Sequence, residues 1–308
     1  MARLINVCSS VLPVFLALLL GMFCRRIGFL DRAGINALKK VVINLTLPFV
    51  LFDAFAAAEY SPDTMVLPCL IFVACCAALG LGFLAVSLSG SGSRLVPFLT
   101  SGFEAGMLGY ALFVMLFPQV SVSRFAILDL GQTLFVFTLY KFLLSGRKGA
   151  TAVVRDMLHS PVLWAIAAGV LVGASGLYAK LHLWGMGGIV DGITGFLSAP
   201  TGAIILLTVG YDLVLKDVSW RKTAGFIAMR MGILALLLGL VILLNRTLLN
   251  SMIFEGAAIL LFILPPPYVL PVFADEPGER AQLSGALSAL TLVTLVLFAI
   301  LCVVLGGG

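Results

Sequence analysis

The chain has 308 residues, of which 61% are hydrophobic and 11% are charged, and its formal net charge is +5. Soluble domains contain about 45–50% apolar and about 25% charged residues, so this chain has too few polar residues to cover a surface in water. The composition excludes a soluble enzyme, a nucleic-acid-binding protein and a disordered protein, and it indicates an all-helical protein that crosses the lipid bilayer many times.

Ten apolar segments follow one another along the chain. A helix needs about 20 residues to cross a bilayer, and runs of about that length occupy residues 7–24, 38–57, 66–88, 95–117, 124–144, 160–178, 187–211, 223–245, 255–273 and 284–305. We number them segments one to ten and predict that each is one membrane span. The residues between them suffice only for short loops.

Segments four and nine are interrupted by residues that do not favour a continuous helix. Segment four contains the run SGFEAGMLG at residues 101–109, which includes Glu104, Gly106 and Gly109. Segment nine contains Pro265, Pro266 and Pro267. Three consecutive prolines cannot lie inside an α-helix, because each lacks an N–H group and clashes with the preceding turn. We predict that both segments are broken helices.

The basic residues predict the orientation. If the loops alternate between the two sides of the membrane, 13 of the 19 Lys and Arg residues fall on one side and four on the other. Basic loops face the cytoplasm. The sequence therefore predicts a multi-pass protein of the cell membrane with both termini outside, which requires an even number of spans.

The two halves of the chain share a pattern of proline and glycine. A proline and two glycines recur at the same spacings, as Pro13, Gly21 and Gly28 in the first half and as Pro161, Gly169 and Gly176 in the second. The breaks of segments four and nine also correspond. We predict two five-helix repeats, residues 1–150 and 151–308, which insert with opposite orientations because five is odd; chance is the alternative in a chain rich in both residues. Inverted repeats with paired broken helices are typical of secondary transporters.

Two stretches resemble the start of an auxin efflux carrier family protein: LGMFCRRIGFL at residues 20–30 and NLTLPFVLF at residues 44–52. The resemblance extends through ten spans and both breaks. It implies the crossed-helix fold shared with bile acid/sodium symporters, with a scaffold of segments one, two, six and seven and a transport domain of segments three to five and eight to ten. The short link between the halves resembles compact prokaryotic members, some of which transport small carboxylates.

The break of segment four departs from that family. Glu104 stands where the family usually has Asn, and Ala111 stands where it has Pro. A carboxyl group inside a membrane is costly and is usually functional, so we expect Glu104 to bind a proton or a cation. The alternative is a permanently protonated Glu104 that bonds to the backbone of segment nine. An ionised Glu104 would repel an anionic substrate.

Further candidates lie in segments two, five, eight and nine. Asp129 and Gln132 share a helix face and are expected to form a second site for a proton or cation, unless Asp129 is merely interfacial. Asn44 and Tyr268 either line the substrate cavity or support loosened backbone. Arg230 is expected to snorkel to the cytoplasmic surface, and the alternative is a pair with Glu104, Asp129 or a substrate carboxylate.

Together these features predict a secondary active transporter that moves a small organic solute, an anion such as a carboxylate, by alternating access. We expect coupling to H⁺ or no coupling, with Na⁺ symport as the alternative; a membrane sensor without transport is less favoured. His159 and His182 lie in loops without a catalytic or metal-binding pattern, so we expect no enzyme activity, cofactor or bound metal. The expected partners are the solute and the bilayer, and a homodimer stays open.

Overall fold

The structure is a computed structural model that describes residues 2–61, 63–89, 94–145, 155, 158–213, 220–273 and 277–305. Within these ranges the chain forms helices and no β-strand. The α-helices of the first half are Ala2–Arg26, Arg32–Val41, Leu47–Ala56, Val66–Ser89, Tyr110–Leu116, Ser123–Phe135 and Lys141–Ser145. Those of the second half are Pro161–Ala174, Leu177–Leu183, Gly187–Ser198, Thr201–Asp212, Trp220–Thr247, Glu255–Ile263 and Pro277–Leu305.

Among the described residues, five short helices of other types join these α-helices. Three are π-helical turns, Val42–Thr46, Ala105–Gly109 and Val136–Tyr140, and two are 3₁₀-helices, Val96–Thr100 and Leu270–Phe273. π-helical turns inside helices often occur at functional positions. All three lie in segments that carry candidate site residues, namely segments two, four and five.

Seven helical stretches of the described residues are long and apolar enough to cross a membrane: Arg32–Ala56, Val66–Leu88, Val96–Leu116, Ser123–Leu144, Gly187–Asp212, Trp220–Thr247 and Gly278–Leu305. An eighth forms if Pro161–Ala174 and Leu177–Leu183, which are bent by 65° at their junction, make one span. These stretches correspond to segments two to eight and ten. They confirm an all-helical protein with several membrane spans, whereas the count of ten stays a prediction.

Segments one and nine are not among these eight stretches. Segment one lies within the helix Ala2–Arg26. In segment nine the α-helix ends at Ile263, and Leu264 separates it from the buried prolines 265–267. The proline run that interrupts the helix leaves it too short to span a bilayer unaided.

Several helix pairs approach so closely that their backbones touch, and two of these pairs join the first half of the chain to the second. A Cβ atom added at Gly21 would lie 2.0 Å from the carbonyl oxygen of Leu207, which places segment one directly against segment seven. A Cβ atom added at Gly169 would lie 2.7 Å from the carbonyl oxygen of Phe52, which places segment six against segment two. Small residues at helix crossings are typical of membrane proteins, because close packing replaces the hydrophobic effect there.

The remaining segments pack mainly on one another. The helix Val66–Ser89 of segment three contacts segments four, five and eight, and the helix Trp220–Thr247 of segment eight contacts segments nine and ten. Aromatic rings fill the interior of this group, with Phe113 stacked on Phe125 at a centroid distance of 5.2 Å. The two broken segments therefore lie against segments three, five, eight and ten.

Candidate functional site

The two interrupted segments meet at their breaks. In segment four, non-helical residues 101–104 separate the 3₁₀-helix Val96–Thr100 from the π-helical turn Ala105–Gly109. In segment nine, non-helical residues 264–267 follow the helix Glu255–Ile263. The backbone N–H of Glu104 donates to the carbonyl oxygen of Pro265 over 2.8 Å. The structure thus contains both predicted breaks and joins them by a hydrogen bond. We call this region the crossover.

The Glu104 carboxylate lies where the second halves of both broken segments begin. Its Oε2 accepts a hydrogen bond from the N–H of Tyr268 at 2.6 Å, and its Oε1 accepts one from the N–H of Met107 at 3.4 Å. Unpaired N–H groups at the start of a helix carry partial positive charge, which stabilises an anion. Glu104 therefore bonds to the backbone of segment nine, as the alternative for this residue requires, and to the backbone of segment four as well.

Arg230 lies where the first halves of the broken segments end. Its side chain donates to the carbonyl oxygens of Leu99 at 2.7 Å, Gly102 at 2.9 Å and Leu264 at 2.7 Å. Arg230 is only 1% exposed, so the expectation that it snorkels to the cytoplasmic surface is wrong. The alternative partners Glu104 and Asp129 form no ion pair with it in the described part of the chain. Carbonyl groups released by the breaks hold the guanidinium instead, because they present partial negative charge.

Asp129 and Gln132 form a buried cluster behind the crossover. Asp129 Oδ2 accepts a hydrogen bond from the hydroxyl of Tyr110 at 2.9 Å, and Oδ1 accepts from Gln132 and Thr133, each at 3.3 Å. Gln132 Nε2 also donates to the carbonyl oxygen of Phe103 at 2.8 Å. Asp129 is 2% exposed, so its carboxylate is enclosed by protein, and its expected role as a second site for a proton or cation stays a prediction. The cluster ties segment five to the residue that precedes Glu104.

One polar atom of this cluster has no partner. Gln132 Oε1 is buried and accepts no hydrogen bond from the described residues. Buried polar atoms are nearly always bonded to protein or water. The atom belongs to a side chain that lines a cavity, so a bound water or solute could donate to it.

Tyr268 both supports the break and lines two cavities. Its N–H holds Glu104, and its hydroxyl lies 3.1 Å from the hydroxyl of Thr291 in segment ten. Tyr268 therefore supports the break, and its expected role in a substrate cavity stays a prediction. The three prolines before it are buried and non-helical, which leaves the N–H of Tyr268 free to reach the carboxylate.

The other predicted site residues differ in placement. Asn44 is exposed and donates through Nδ2 to the carbonyl oxygen of Lys40 at 2.9 Å, so it supports its own helix and does not line either of the cavities at the crossover. Gly106 lines a cavity beside Glu104. Gly109 is packed closely, since an added Cβ would lie 2.7 Å from Leu264 Cδ1.

Two cavities adjoin the crossover. The first, which we call the crossover cavity, has a volume of about 370 Å³ and is lined by residues that include Lys39, Glu104, Asp129, Gln132, Lys141 and Tyr268. The second, the basic cavity, has a volume of about 280 Å³, and its lining includes Arg32, Lys39, Met107, Asp212, Tyr268 and Thr291. Sites for small molecules commonly have volumes of this order.

Lys39 belongs to both cavities and was missed as a site residue by the sequence. Its ammonium pairs with Asp212, which also binds Arg32 at 2.5 Å. These charges join the start of segment two to the end of segment seven. In the sequence, Lys39 and Arg32 indicated only orientation, and Asp212 stood at the end of a span. No local pattern reveals that the fold brings them to one cavity.

Comparison with known proteins supports a transporter at a coarse level. No known family model matches the chain. A protein of Methanothermobacter thermautotrophicus, named an uncharacterized transporter, is 27% identical over 213 residues, which cover 67% of this chain and 67% of that protein. The auxin efflux carrier resemblance therefore stays a prediction. The similarity and the many apolar helices together describe a transporter-like protein embedded in the membrane by several spans.

Proposed function

We propose that the chain is a secondary active transporter of a small organic solute, an anion such as a carboxylate, that works by alternating access at the crossover. The observation that carries the proposal is the position of Glu104. Its carboxylate accepts N–H groups from both broken segments and also lines the crossover cavity. One ionisable group therefore contacts both broken helices and the space available to a solute.

The surroundings of Glu104 favour coupling to a proton. Arg32, Lys39 and Asp212 line the basic cavity, and the one carboxylate neutralises only one of the two basic groups that it pairs with, so an anionic solute would meet net positive charge there. An anion close to Glu104 is repelled by the ionised carboxylate and tolerated by the protonated one. Solute and proton would then bind together and leave together. If Glu104 kept the same protonation state throughout the cycle, no proton would move with the solute, and the transporter would be a uniporter.

The packing of the helices supports two moving parts. Segments one and seven pack together, as do two and six, whereas three, four, five, eight, nine and ten contact one another. This grouping agrees with a scaffold and a transport domain. Both groups line the crossover cavity: Leu47 and Ile166 belong to the first, and Glu104 and Asp129 to the second.

Corresponding residues of the two halves support an inverted repeat. Gly21 touches segment seven in the same manner as Gly169 touches segment two. Gly28 and Gly176 follow at equal spacing, and both have left-handed backbone angles, with φ of 69° and 70°. In a repeat of opposite orientation, the contact of segments one and seven is the counterpart of the contact of segments six and two.

The test is uptake by proteoliposomes that contain the purified protein. Small radiolabelled mono- and dicarboxylates are offered with an inward proton gradient, with a Na⁺ gradient and with neither, against protein-free liposomes. We expect one carboxylate class to accumulate with the proton gradient. Thermal unfolding with the same compounds provides a second readout, because a ligand of the native state raises the apparent stability. Absence of both uptake and stabilisation across the panel would contradict the proposal.

A further inference from the structure

We infer that Arg230 is a resident cation that occupies carbonyl groups of the type that bind Na⁺ in transporters with broken helices, so that the crossover does not respond to Na⁺. The inference rests on the proposed function, since it specifies which ion can couple. It starts from the three carbonyl oxygens that converge on one guanidinium, those of Leu99, Gly102 and Leu264.

The ligands of Arg230 are of the kind that binds Na⁺. Leu264 is the residue that caps the C-terminal end of the helix Glu255–Ile263, and Leu99 and Gly102 lie at the end of the first half of segment four. In transporters with discontinuous helices, unwound carbonyl groups and half-helix C-termini coordinate Na⁺. Here both broken segments contribute such carbonyl groups, and the N–H groups of Arg230 already bind them.

The carbonyl groups compensate the charge without a carboxylate. Among the described residues Arg230 has no ion-pair partner, and its other neighbours are the ring of Phe103, 5.6 Å from the guanidinium carbon, together with Tyr140 and Cys75. A buried charge is tolerated only when its surroundings compensate it. Removing the guanidinium would therefore leave a buried group of carbonyl oxygens with surplus partial negative charge, which suits a small cation.

Arg230 and Glu104 occupy opposite ends of the breaks. They differ in whether the positive charge held there can be exchanged across the membrane. Arg230 lies at the ends of the first halves, and Glu104 lies at the beginnings of the second halves. A guanidinium stays charged under all conditions in a protein, and it is covalently attached, so it cannot be exchanged between the two sides of a membrane. A carboxylate can take up and release a proton. The exchangeable ion of this crossover is then H⁺ at Glu104.

The experiment compares thermal unfolding of the purified full-length protein in NaCl, KCl and choline chloride at equal ionic strength. We expect the wild-type midpoint to be the same in all three salts. Arg230→Ala should have a lower midpoint, and Na⁺ or dilute guanidinium should raise it more than choline does. Arg246→Gln is the matched control: it removes an arginine from the same helix whose side chain is 64% exposed, and it should show no difference between the salts.

Results of the unfolding experiment that differ from these expectations would contradict the inference in specific ways. A wild-type midpoint that rises in Na⁺ relative to K⁺ contradicts the inference, because it shows a vacant Na⁺ site. An Arg230→Ala protein that responds identically to all cations contradicts it as well. If Arg230→Ala does not fold, Arg230→Lys retains the charge without the planar fork, and we expect its midpoint to be independent of Na⁺; a Na⁺-dependent midpoint would overturn the inference.

These measurements need no transported solute. A protein that shows the expected cation responses but never accumulates a carboxylate contradicts the proposed function and leaves the inference intact. A protein that transports a carboxylate and is stabilised by Na⁺ supports the proposed function and contradicts the inference about Arg230.

Discussion

The backbone N–H of Glu104 lies 2.8 Å from the carbonyl oxygen of Pro265, so each broken segment satisfies a backbone group that the other has released. In a bilayer, an unpaired backbone group costs several kcal/mol. This single hydrogen bond makes the two breaks interdependent, because straightening one segment would strand a polar group of the other.

We expect Glu104→Gln to remove the pH dependence of transport while the protein stays folded. The amide is nearly isosteric, and its oxygen can still accept the shorter bond from Tyr268, but its NH2 group cannot accept the longer one from Met107 and cannot exchange a proton. Uptake into proteoliposomes is measured from mildly acidic to mildly alkaline pH, with the midpoint of thermal unfolding as the test of folding. The control is Glu255→Gln, which removes a carboxylate that pairs with Arg246 outside both cavities. Unchanged pH-dependent uptake in Glu104→Gln would refute the coupling role.

Replacing Pro266 by Leu should impair transport. Leu has a backbone N–H and favours a helix, whereas the buried proline keeps residues 265–267 non-helical. A helix that continued through this region would withdraw the N–H of Tyr268 from Glu104 and the carbonyl of Leu264 from Arg230. The measurement is initial uptake rate per folded molecule. Pro265 and Pro267 remain in this variant, so full activity in Pro266→Leu would show that Pro266 itself is not needed for transport.

Gly21→Ala should destabilise the fold, because the new Cβ would lie 2.0 Å from the carbonyl oxygen of Leu207 and the two helices would have to separate. Overpacking of this kind costs about 1–3 kcal/mol. Gly80→Ala is the matched control: it lies in the helix Val66–Ser89, and its added Cβ meets nothing within 4 Å, so the higher helix propensity of alanine should leave stability unchanged or raised by about 1 kcal/mol. Equal thermal midpoints for the two variants would contradict this packing.

Tyr110→Phe should weaken the buried cluster of Asp129. It removes the donor to Asp129 Oδ2, and hydrogen bonds to charged groups contribute about 1.5–3 kcal/mol. The loss should be smaller when Asp129→Asn is already present, because the two residues share one interaction. A double-mutant cycle of unfolding free energies gives the coupling directly. Additive effects would show that this contact does not stabilise the protein.

Lys39→Gln should weaken the binding of an anionic solute, since Lys39 is the basic residue common to both cavities. The matched control is Lys40→Gln, which changes an exposed neighbour of the same charge. The apparent Km for uptake is compared at low and high salt, because salt screens the attraction. Equal Km values in both variants would exclude Lys39 from solute recognition.

Features with a local cause could be predicted from the sequence. Apolar runs gave the helices, the prolines gave the break of segment nine, and the spacing of Asp129 and Gln132 placed them on one face, where they do contact each other. Contacts that depend on tertiary structure could not be predicted in this way. Arg230 was expected at the membrane surface because the carbonyl groups that hold it come from two other segments. For Asn44 the sequence left cavity lining and backbone support open, and its side chain bonds to its own helix.

The glycine contacts also bear on how the molecule could move. Where Gly21 meets Leu207 and Gly169 meets Phe52, the nearest atom of the opposite helix is a backbone carbonyl oxygen, so at these points the helices cannot slide past each other without a backbone clash. Each helix pair should behave as a rigid body. Spectroscopic labels placed on both members of such a pair should keep a constant separation during turnover, whereas labels placed across the crossover cavity should report the motion.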